Sequence, residues 1–254
     1  MKNEVVTIDL GSNSFRVLKY DCLNFKIIDE YHQVVGLADG LINSGLISYE
    51  ALNRVIDAIN IAKDKLSFNP EDAVCVTTAA MRKAKNSQEA LDFIEKNSGA
   101  KFKIIDSNEE ARLTLLAIKY ALKREKIDTQ NFILLDIGGG STEFIIGDEF
   151  EPLHTESLQM GCVAYSKAYF PDGEISTKAF DKAVVAARKE MSAIANTYKN
   201  EGWDTVVGSS GTIKACRQIA VNLGLSDEQE NLTHEGLSKL KDRLLKFKHV
   251  SEID

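Results

Sequence analysis

The chain alternates short apolar runs with longer segments in which apolar residues recur at helical spacing. Short runs rich in β-branched residues predict strands, and a stripe of apolar residues on one face predicts a helix. Leu52, Val55 and Ile59, for example, fall on one face of a predicted helix. Regular alternation of this kind is typical of an α/β architecture.

The same pattern assigns the individual elements. Strands are predicted over residues 5–8, 15–20, 73–77, 102–105, 132–135, 144–147 and 205–207. A hairpin-like pair is predicted around residues 26–33. Helices are predicted over residues 52–66, 87–97, 107–125, 177–200 and 234–248.

The second half of the chain repeats the pattern of the first. Asp9 follows an apolar run and opens a polar glycine turn that leads into a returning apolar run. Asp136 opens a matching turn 127 residues later. An internal duplication is the simplest interpretation. We therefore predict one domain over residues 1–124 and a second over residues 125–254, with the boundary near residues 123–131.

Composition narrows the class of protein. The 254 residues include 44% hydrophobic and 27% charged residues, which excludes a disordered chain and is sufficient for one or two cores. The formal net charge of −7 argues against a general nucleic-acid coat, because duplex binding needs an extended basic surface. We expect no nucleic-acid partner, and any anionic ligand would be held by backbone amides and a few local cations.

The spacing of the cysteines and the length of the apolar runs indicate the cellular compartment of the protein. Cys22, Cys75, Cys162 and Cys216 lie far apart without a CxxC pair, which argues against a zinc knuckle or a redox motif. Buried free thiols in a reducing compartment are the simpler interpretation. The sequence has no apolar run of about 18 residues and does not start like a signal peptide. We expect a cytoplasmic protein without a transmembrane segment.

Three glycine-rich turns, each directly after a predicted strand, are the strongest chemical signal. They cover residues 9–14, 136–142 and 208–212. Glycine allows the backbone to approach a ligand closely, and successive N–H groups can cradle phosphate oxygens. A single such turn is explained equally well by a tight hairpin, but three in a two-fold pattern favour phosphate binding. The turns match neither the P-loop nor the dinucleotide-binding pattern.

Carboxylates accompany these turns. Asp9 and Asp136 open two of them, and Glu143 follows Asp136 by seven residues. Carboxylates beside bound phosphate suit Mg²⁺, which takes one or two protein oxygens and keeps several waters. The alternative is that the aspartates only cap their turns. Their repeated placement favours a metal site at Asp9, Asp136 and Glu143.

The motif series resembles that of the exopolyphosphatase/guanosine pentaphosphate phosphohydrolase (Ppx/GppA) family. The resemblance lies in residues 9–15, 107–113, 136–143 and 208–215 and in the connecting stretches 37–41 and 160–163. Order and spacing match over essentially the whole chain. The resemblance implies the actin/hexokinase/Hsp70-like (ribonuclease H-like) fold, with duplicated α/β domains around a phosphate-binding cleft.

The resemblance also implies roles for individual residues. Glu110 takes the place of a catalytic glutamate that positions or deprotonates the attacking water, although an ordinary first-turn glutamate is the alternative. Arg82 would neutralise phosphate charge, with a surface arginine as the alternative. Asp136 and Glu143 match residues associated with Mg²⁺, alone or with a monovalent cation. Phosphate-binding positions are then Ser12, Asn13, Ser14, Gly139, Gly140, Ser141, Thr142, Ser209, Gly211, Thr212 and Lys214.

Two substrates divide this family, inorganic polyphosphate and guanosine pentaphosphate. Gly140 and the stretch 169–173 resemble the polyphosphatase branch more closely, so we expect an exopolyphosphatase. A guanosine pentaphosphate phosphohydrolase is one alternative. A non-catalytic sensor of polyphosphate or guanosine tetraphosphate is the other, and it is disfavoured by the presence of Glu110, Asp136 and Glu143.

The resemblance also raises the question of length. Family members continue past the last predicted helix with further strands and helices, whereas this chain stops at residue 254. We expect a fragment with apolar surface left exposed. The full-length protein is expected to be a homodimer.

Overall fold

The computed structural model of the chain describes residues 3–124, 131–148, 151–227, 229 and 231–253. These residues form two compact units, Met1–Glu110 and Ala111–Asp254. The predicted domain boundary of 124/125 stays a prediction, and residues 125–130 within the predicted boundary region lie outside the described part. No helix among the described residues is long and apolar enough to cross a membrane.

Unit 1 is built on a mixed sheet with strand order β3-β2-β1-β4-β5. The strands are β1 (Glu4–Leu10), β2 (Ser14–Asp21), β3 (Lys26–Val34), β4 (Val74–Thr77) and β5 (Phe102–Ile104). The helices are α1 (Leu41–Ser44), α2 (Tyr49–Leu66), α3 (Ala79–Lys83) and α4 (Ser87–Ser98). Helix α5 (Ser107–Arg124) begins in unit 1 and continues into unit 2.

Unit 2 is built on a sheet with strand order β8-β7-β6-β9. Its strands are β6 (Phe132–Ile137), β7 (Thr142–Asp148), β8 (Glu151–Leu158) and β9 (Thr205–Ser209). Its helices are α6 (Cys162–Tyr169), α7 (Thr177–Ser192), α8 (Ala195–Glu201), α9 (Ser210–Asn222) and α10 (His234–Leu244). Strand β9 is the counterpart of β4, since each pairs in parallel with the first strand of its unit. Within the described residues β9 pairs with β6 only, whereas β4 pairs with both β1 and β5.

The central strands form the cores because they are apolar on their inward faces. In unit 1, Ile8 and Leu10 of β1 and Phe15 and Val17 of β2 are fully buried. They pack with the buried face of α2, which begins at an N-cap where Ser48 accepts a hydrogen bond from the Ala51 amide. Burial of this apolar surface is the main stabilising contribution to the unit.

The duplication predicted from sequence is confirmed by the sheets. In each unit, three consecutive strands form an antiparallel meander, and the first of them also pairs in parallel with a later strand. The turns match as well: Gly11 N–H donates to Ser14 O at 2.9 Å, and Gly138 N–H donates to Ser141 O at 3.0 Å. The repeat therefore extends to the backbone geometry of the glycine turns.

Three sequence predictions are wrong in detail. Residues 26–34 form the single strand β3 rather than a hairpin-like pair. The helix predicted over residues 177–200 is two helices, α7 and α8, which meet at Ala193 and Ile194. Ile194 is buried against Tyr198 and Ile146, so packing rather than a local breaker residue fixes this break. Residues 208–212 are the end of a strand followed directly by helix α9, and not a separate turn.

Candidate active site

In the glycine turn of unit 1, the carbonyl groups of Ser12 and Asn13 accept hydrogen bonds from the backbone amides of one neighbouring segment. Ser12 O accepts from Ala38 N–H at 2.8 Å, and Asn13 O accepts from the amides of Val35 and Gly36 at 2.8 and 3.0 Å. The N–H and C=O of a trans peptide unit point in opposite directions. The amides that follow these two carbonyls therefore point away from the Val35–Ala38 segment, as a phosphate-binding loop requires.

Arg82 and Glu110 form an ion pair in the same unit. Arg82 Nη1 lies 2.8 Å from Glu110 Oε2, and it also donates to Ile105 O at 2.7 Å. The side chains are 21% and 24% exposed, so the pair is shielded but open to water. Helix α3 positions the arginine, and the first turn of α5 positions the glutamate.

Burial raises the pKa of the Glu110 carboxyl above its ordinary value, because the charged form loses hydration there. The hydrogen bond and the charge of Arg82 pull this pKa down, and a hydrogen bond with Thr78 acts in the same direction. The negative charge of Asp9 pushes it up. A carboxylate with a raised pKa that keeps contact with water is suited to act as a general base.

Asp9 lies one residue before the end of β1 with its side chain exposed. Its register neighbours are Arg16 on β2 and Val76 on β4. Its electrostatic effect on Glu110 shows that the two carboxylates influence each other. Asp9, the glycine turn, Arg82 and Glu110 thus belong to one unit.

The glycine turn of unit 2 repeats the backbone arrangement of unit 1. Gly138 O accepts from Cys162 N–H at 2.9 Å, and Gly139 O accepts from the amides of Val163 and Ala164 at 3.0 and 3.1 Å. The amides that follow these carbonyls therefore point away from the start of α6. The donors come from the N-terminus of α6, so this helix sets the direction of the turn.

Gly161 allows this close approach. A Cβ atom at this position would lie 2.4 Å from Gly139 C, Gly139 O and Gly140 C. The obstacle is backbone and cannot move aside as a side chain could. Glycine is therefore required at residue 161 if the turn of unit 2 is to keep its position.

Two carboxylates stand side by side in unit 2. Asp136 on β6 and Glu143 on β7 are direct register partners, so their side chains project from the same face of the sheet. Glu143 is 7% exposed, and its Oε1 accepts from Ser141 Oγ at 2.8 Å and from Ser157 Oγ at 2.9 Å. Asp136 Oδ2 accepts from Ser209 Oγ at 2.6 Å. The serine hydroxyls orient both carboxylates.

The junction of β9 and α9 lies next to these carboxylates. Ser210 has a φ of 73°, a left-handed conformation that is uncommon for a residue with a side chain. Its hydroxyl donates to Ile137 O at 3.0 Å and so connects the helix start to the end of β6. Gly211 and Thr212 follow in the first turn of α9, where backbone N–H groups lack helical acceptors and favour anions, and Lys214 lies in the next turn.

The profile of the Ppx/GppA phosphatase family matches residues 16–254. The chain belongs to this family. A Haemophilus influenzae protein provisionally named an exopolyphosphatase is 36% identical over 99% of this chain and 77% of its own length. The guanosine-5'-triphosphate,3'-diphosphate pyrophosphatase of Aliivibrio fischeri strain MJ11 is 33% identical over 97% of this chain, which spans 49% of that enzyme.

Solved structures of the Ppx/GppA family share the fold. The crystal structure of the Aquifex aeolicus family member has a TM-score of 0.72 at 25% identity, covering 96% of this chain and 79% of that one. An exopolyphosphatase from Cytophaga hutchinsonii has a TM-score of 0.74 at 24% identity, covering 96% and 80%. The predicted duplicated α/β fold of the actin/hexokinase/Hsp70 type is confirmed.

The predicted site residues of this Ppx/GppA phosphatase fall into two sets. Unit 1 holds Asp9, Ser12, Asn13, Ser14, Arg82 and Glu110. Unit 2 holds Asp136, Gly139, Gly140, Ser141, Thr142, Glu143, Ser209, Gly211, Thr212 and Lys214. The hydroxyl of Ser141 donates to Glu143, and that of Thr142 donates to Met160 O. Their part in binding phosphate stays a prediction.

Sequence reasoning missed several residues that build these sets. Thr78 hydrogen-bonds Glu110, and Ser157 on β8 supports Glu143 from across the sheet. Gly161 lay within a stretch noted only for its resemblance to the family, although a glycine directly before a helix was an available signal. Nothing in the local pattern around Ser157 distinguishes it from an ordinary strand serine.

Proposed function

We propose that this Ppx/GppA phosphatase is an exopolyphosphatase that releases terminal phosphate from inorganic polyphosphate. The observation that carries the proposal is the Arg82–Glu110 ion pair in the unit that also holds an amide-presenting glycine turn. A phosphoanhydride hydrolase needs a group that orients water and donors that hold phosphate oxygens. Unit 1 supplies both kinds of group within residues 9–110.

The proposed chemistry uses water as the nucleophile. Glu110 accepts a proton from a water molecule, whose oxygen attacks the terminal phosphorus in line with the bridging oxygen. The bond from phosphorus to the bridging oxygen breaks, and the shortened chain leaves with that oxygen. Arg82 holds Glu110 in place and limits how far burial raises the pKa of its carboxyl. No covalent intermediate with the protein is needed.

A divalent cation fits the carboxylates of unit 2. Asp136 and Glu143 present oxygen ligands from paired positions on neighbouring strands, and Mg²⁺ takes one or two carboxylates together with waters and phosphate oxygens. A buried carboxylate such as Glu143 is costly unless it is hydrogen-bonded or near a cation. The described residues contain no cluster of three or more metal-ligating side chains. Bound Mg²⁺ would neutralise charge on phosphate oxygens.

Guanosine pentaphosphate is the second candidate substrate. Five curated relatives named guanosine-5'-triphosphate,3'-diphosphate pyrophosphatase are 30–34% identical to this chain. The relative provisionally named an exopolyphosphatase is more similar, at 36% identity over a larger share of its length. That difference and the sequence around Gly140 favour polyphosphate.

The test is phosphate release from long-chain polyphosphate and from guanosine pentaphosphate, each with Mg²⁺. We expect polyphosphate to be hydrolysed faster, and Glu110→Gln to reduce the rate by about 10²–10⁴-fold. Glu109→Gln is the matched control, because it removes the same charge one residue away, and it should keep most of the activity. Binding without release by the unaltered protein would contradict the proposal and favour the sensor.

A further inference from the structure

Arg54 lies at the edge of the buried face of helix α2 and holds one short segment. Its Nε donates to Val35 O at 2.7 Å, and its Nη2 donates to Gly36 O at 3.0 Å. Nη2 also lies 3.2 Å from Asp39 Oδ2. One guanidinium thus binds two backbone carbonyls and one carboxylate within five consecutive residues.

The position of Gly36 leaves no room for a side chain beside the Arg54–Asp39 pair. It has a φ of 56°, and a Cβ atom there would lie 2.3 Å from Asp39 Oδ2 and 3.3 Å from Arg54 Nη2. The space that a side chain would need is therefore occupied by the Arg54–Asp39 pair. The segment and the Arg54–Asp39 pair therefore pack closely at Gly36.

The segment that Arg54 holds is the one that holds the glycine turn of unit 1. The amides of Val35 and Gly36 donate to Asn13 O, and the amide of Ala38 donates to Ser12 O. In the Val35 and Gly36 residues the carbonyl is bound by Arg54 while the amide is bound to the turn. The peptide plane between Val35 and Gly36 carries both contacts, because Val35 O is bound by Arg54 and the Gly36 amide donates to Asn13 O. Fixing this plane on the arginine side therefore fixes that donor on the turn side.

We propose that Arg54 is a positioning residue for the phosphate-binding turn at Ser12 and Asn13, acting through the segment Val35–Asp39. This inference rests on the proposed function, because it assumes that the amides of the turn bind phosphate. Arg54 touches no substrate itself. It keeps the turn in the conformation that presents its amides, so that binding does not have to order them.

A purely structural role is the competing explanation. An exposed arginine–carboxylate pair contributes little to stability, and here the side chains are 41% and 56% exposed. A structural role would therefore show as a small loss of thermal stability without a change in substrate binding. The positioning role predicts weaker substrate binding with little change in thermal stability.

The experiment compares Arg54→Met, Arg54→Lys and Gly36→Ala with the unaltered protein. Readouts are kcat and KM for long-chain polyphosphate, the dissociation constant of tripolyphosphate by calorimetry, and the melting temperature. We expect Arg54→Met to raise KM and the tripolyphosphate dissociation constant by about tenfold while kcat stays within about twofold. Arg54→Lys should be intermediate, because an ammonium cannot reproduce the planar fork. Arg243→Met, on an exposed site of α10, is the control.

Arg54→Lys keeps the test decisive if Arg54→Met fails to fold, since it keeps the charge but not the planar fork. Gly36→Ala reports on the segment itself, because a φ of 56° strains any residue with a side chain. A lowered melting temperature with unchanged KM and unchanged tripolyphosphate affinity would overturn the inference. If the unaltered protein binds tripolyphosphate but does not hydrolyse polyphosphate, the proposed function fails while Arg54 is still judged by the dissociation constant. If the unaltered protein binds neither tripolyphosphate nor polyphosphate, both proposals are overturned.

Discussion

Thr77 and Ser210 make the same hydrogen bond in the two units. Thr77 Oγ1 donates to Leu10 O at 2.8 Å, and Ser210 Oγ donates to Ile137 O at 3.0 Å. In both cases a hydroxyl at the end of a parallel strand, or one residue beyond it, caps the carbonyl of the residue that precedes a glycine turn. This hydroxyl fixes the residue before the turn, while backbone amides of another segment hold the carbonyl groups of the turn itself.

Removing the buried hydroxyl of Thr77 should destabilise unit 1. Thr77 is fully buried, so Thr77→Val preserves its shape but leaves Leu10 O without this donor. We expect a loss of about 1–3 kcal/mol in the free energy of unfolding, measured by urea denaturation. Thr77→Ser keeps the hydroxyl and should cost less. Equal losses in the two variants would show that the methyl group, and not the hydrogen bond, carries the effect.

Replacing Arg82 should shift the pH dependence of hydrolysis. The hydrogen bond and charge of Arg82 lower the pKa of Glu110, so Arg82→Gln should raise it further above the ordinary carboxyl value. A general base is active when deprotonated, so the acidic limb of the pH–rate profile should move to higher pH. The position of the limb is the decisive readout, because the rate also falls if Arg82 contacts phosphate. An unmoved limb would contradict the assignment of Glu110 as the base.

Glu110 should also make stability depend on pH. Its pKa in the folded protein is raised, so the folded state binds more protons than the unfolded state between the two pKa values. Its stabilising contribution is therefore present below the unfolded pKa and is lost as pH rises through the folded pKa. The Glu110→Gln variant has no carboxyl at this position, so this pH-dependent contribution to its stability is absent. The difference in melting temperature, Glu110→Gln minus the unaltered protein, should grow as pH rises from about 4 to about 8; a constant difference would argue against it.

Gly161→Ala should displace the glycine turn of unit 2. The added Cβ atom would overlap the backbone of Gly139 and Gly140, so either the turn or the start of α6 must shift. We expect a loss of about 1–3 kcal/mol in unfolding free energy, together with weaker binding of tripolyphosphate. Gly211→Ala serves as the stability control, because its Cβ would meet no atom within 4 Å. Comparable stability losses in both variants would refute the steric explanation.

Ser157 should tune the affinity of the proposed cation site. Its hydroxyl donates to Glu143 Oε1, and groups that orient a metal ligand typically affect metal affinity by about 10–100-fold when removed. Ser157→Ala should therefore raise the Mg²⁺ concentration for half-maximal activity by about tenfold or more. Ser192→Ala, on the end of α7, is a matched control away from the carboxylates. An unchanged Mg²⁺ requirement would place the cation elsewhere.

The parts of the fold predicted from sequence were those with a strong local pattern. The strands before both glycine turns and helix α2 follow from apolar periodicity within short windows, and the duplication follows from the recurrence of one motif at Asp9 and Asp136. The break between α7 and α8 was missed because neither glycine nor proline occurs there, and Ile194 is held by distant residues. The strand β3 was misinterpreted because most of its residues are exposed, so its alternation is weak.

The candidate site shows the same limit. Glu110 and Arg82 were identified by resemblance, but their contact joins residues 28 positions apart and is set by the fold. Arg54 was not singled out, because its partners lie 15–19 positions earlier and the surrounding helix pattern is that of an ordinary amphipathic helix. Long-range hydrogen bonds of this kind leave no signal in a local window.

The two copies of the repeated meander differ in the sign of charge at one register position. Asp9 stands opposite Arg16 in unit 1, whereas Asp136 stands opposite Glu143 in unit 2. Arg16 pairs with Glu30 at 2.8 Å, whereas serine hydroxyls donate to Asp136 and Glu143. The duplicated backbone therefore carries opposite charges at one cross-strand position. If Mg²⁺ binds at Asp136 and Glu143 as proposed, unit 2 is the copy whose acidic pair depends on ionic conditions.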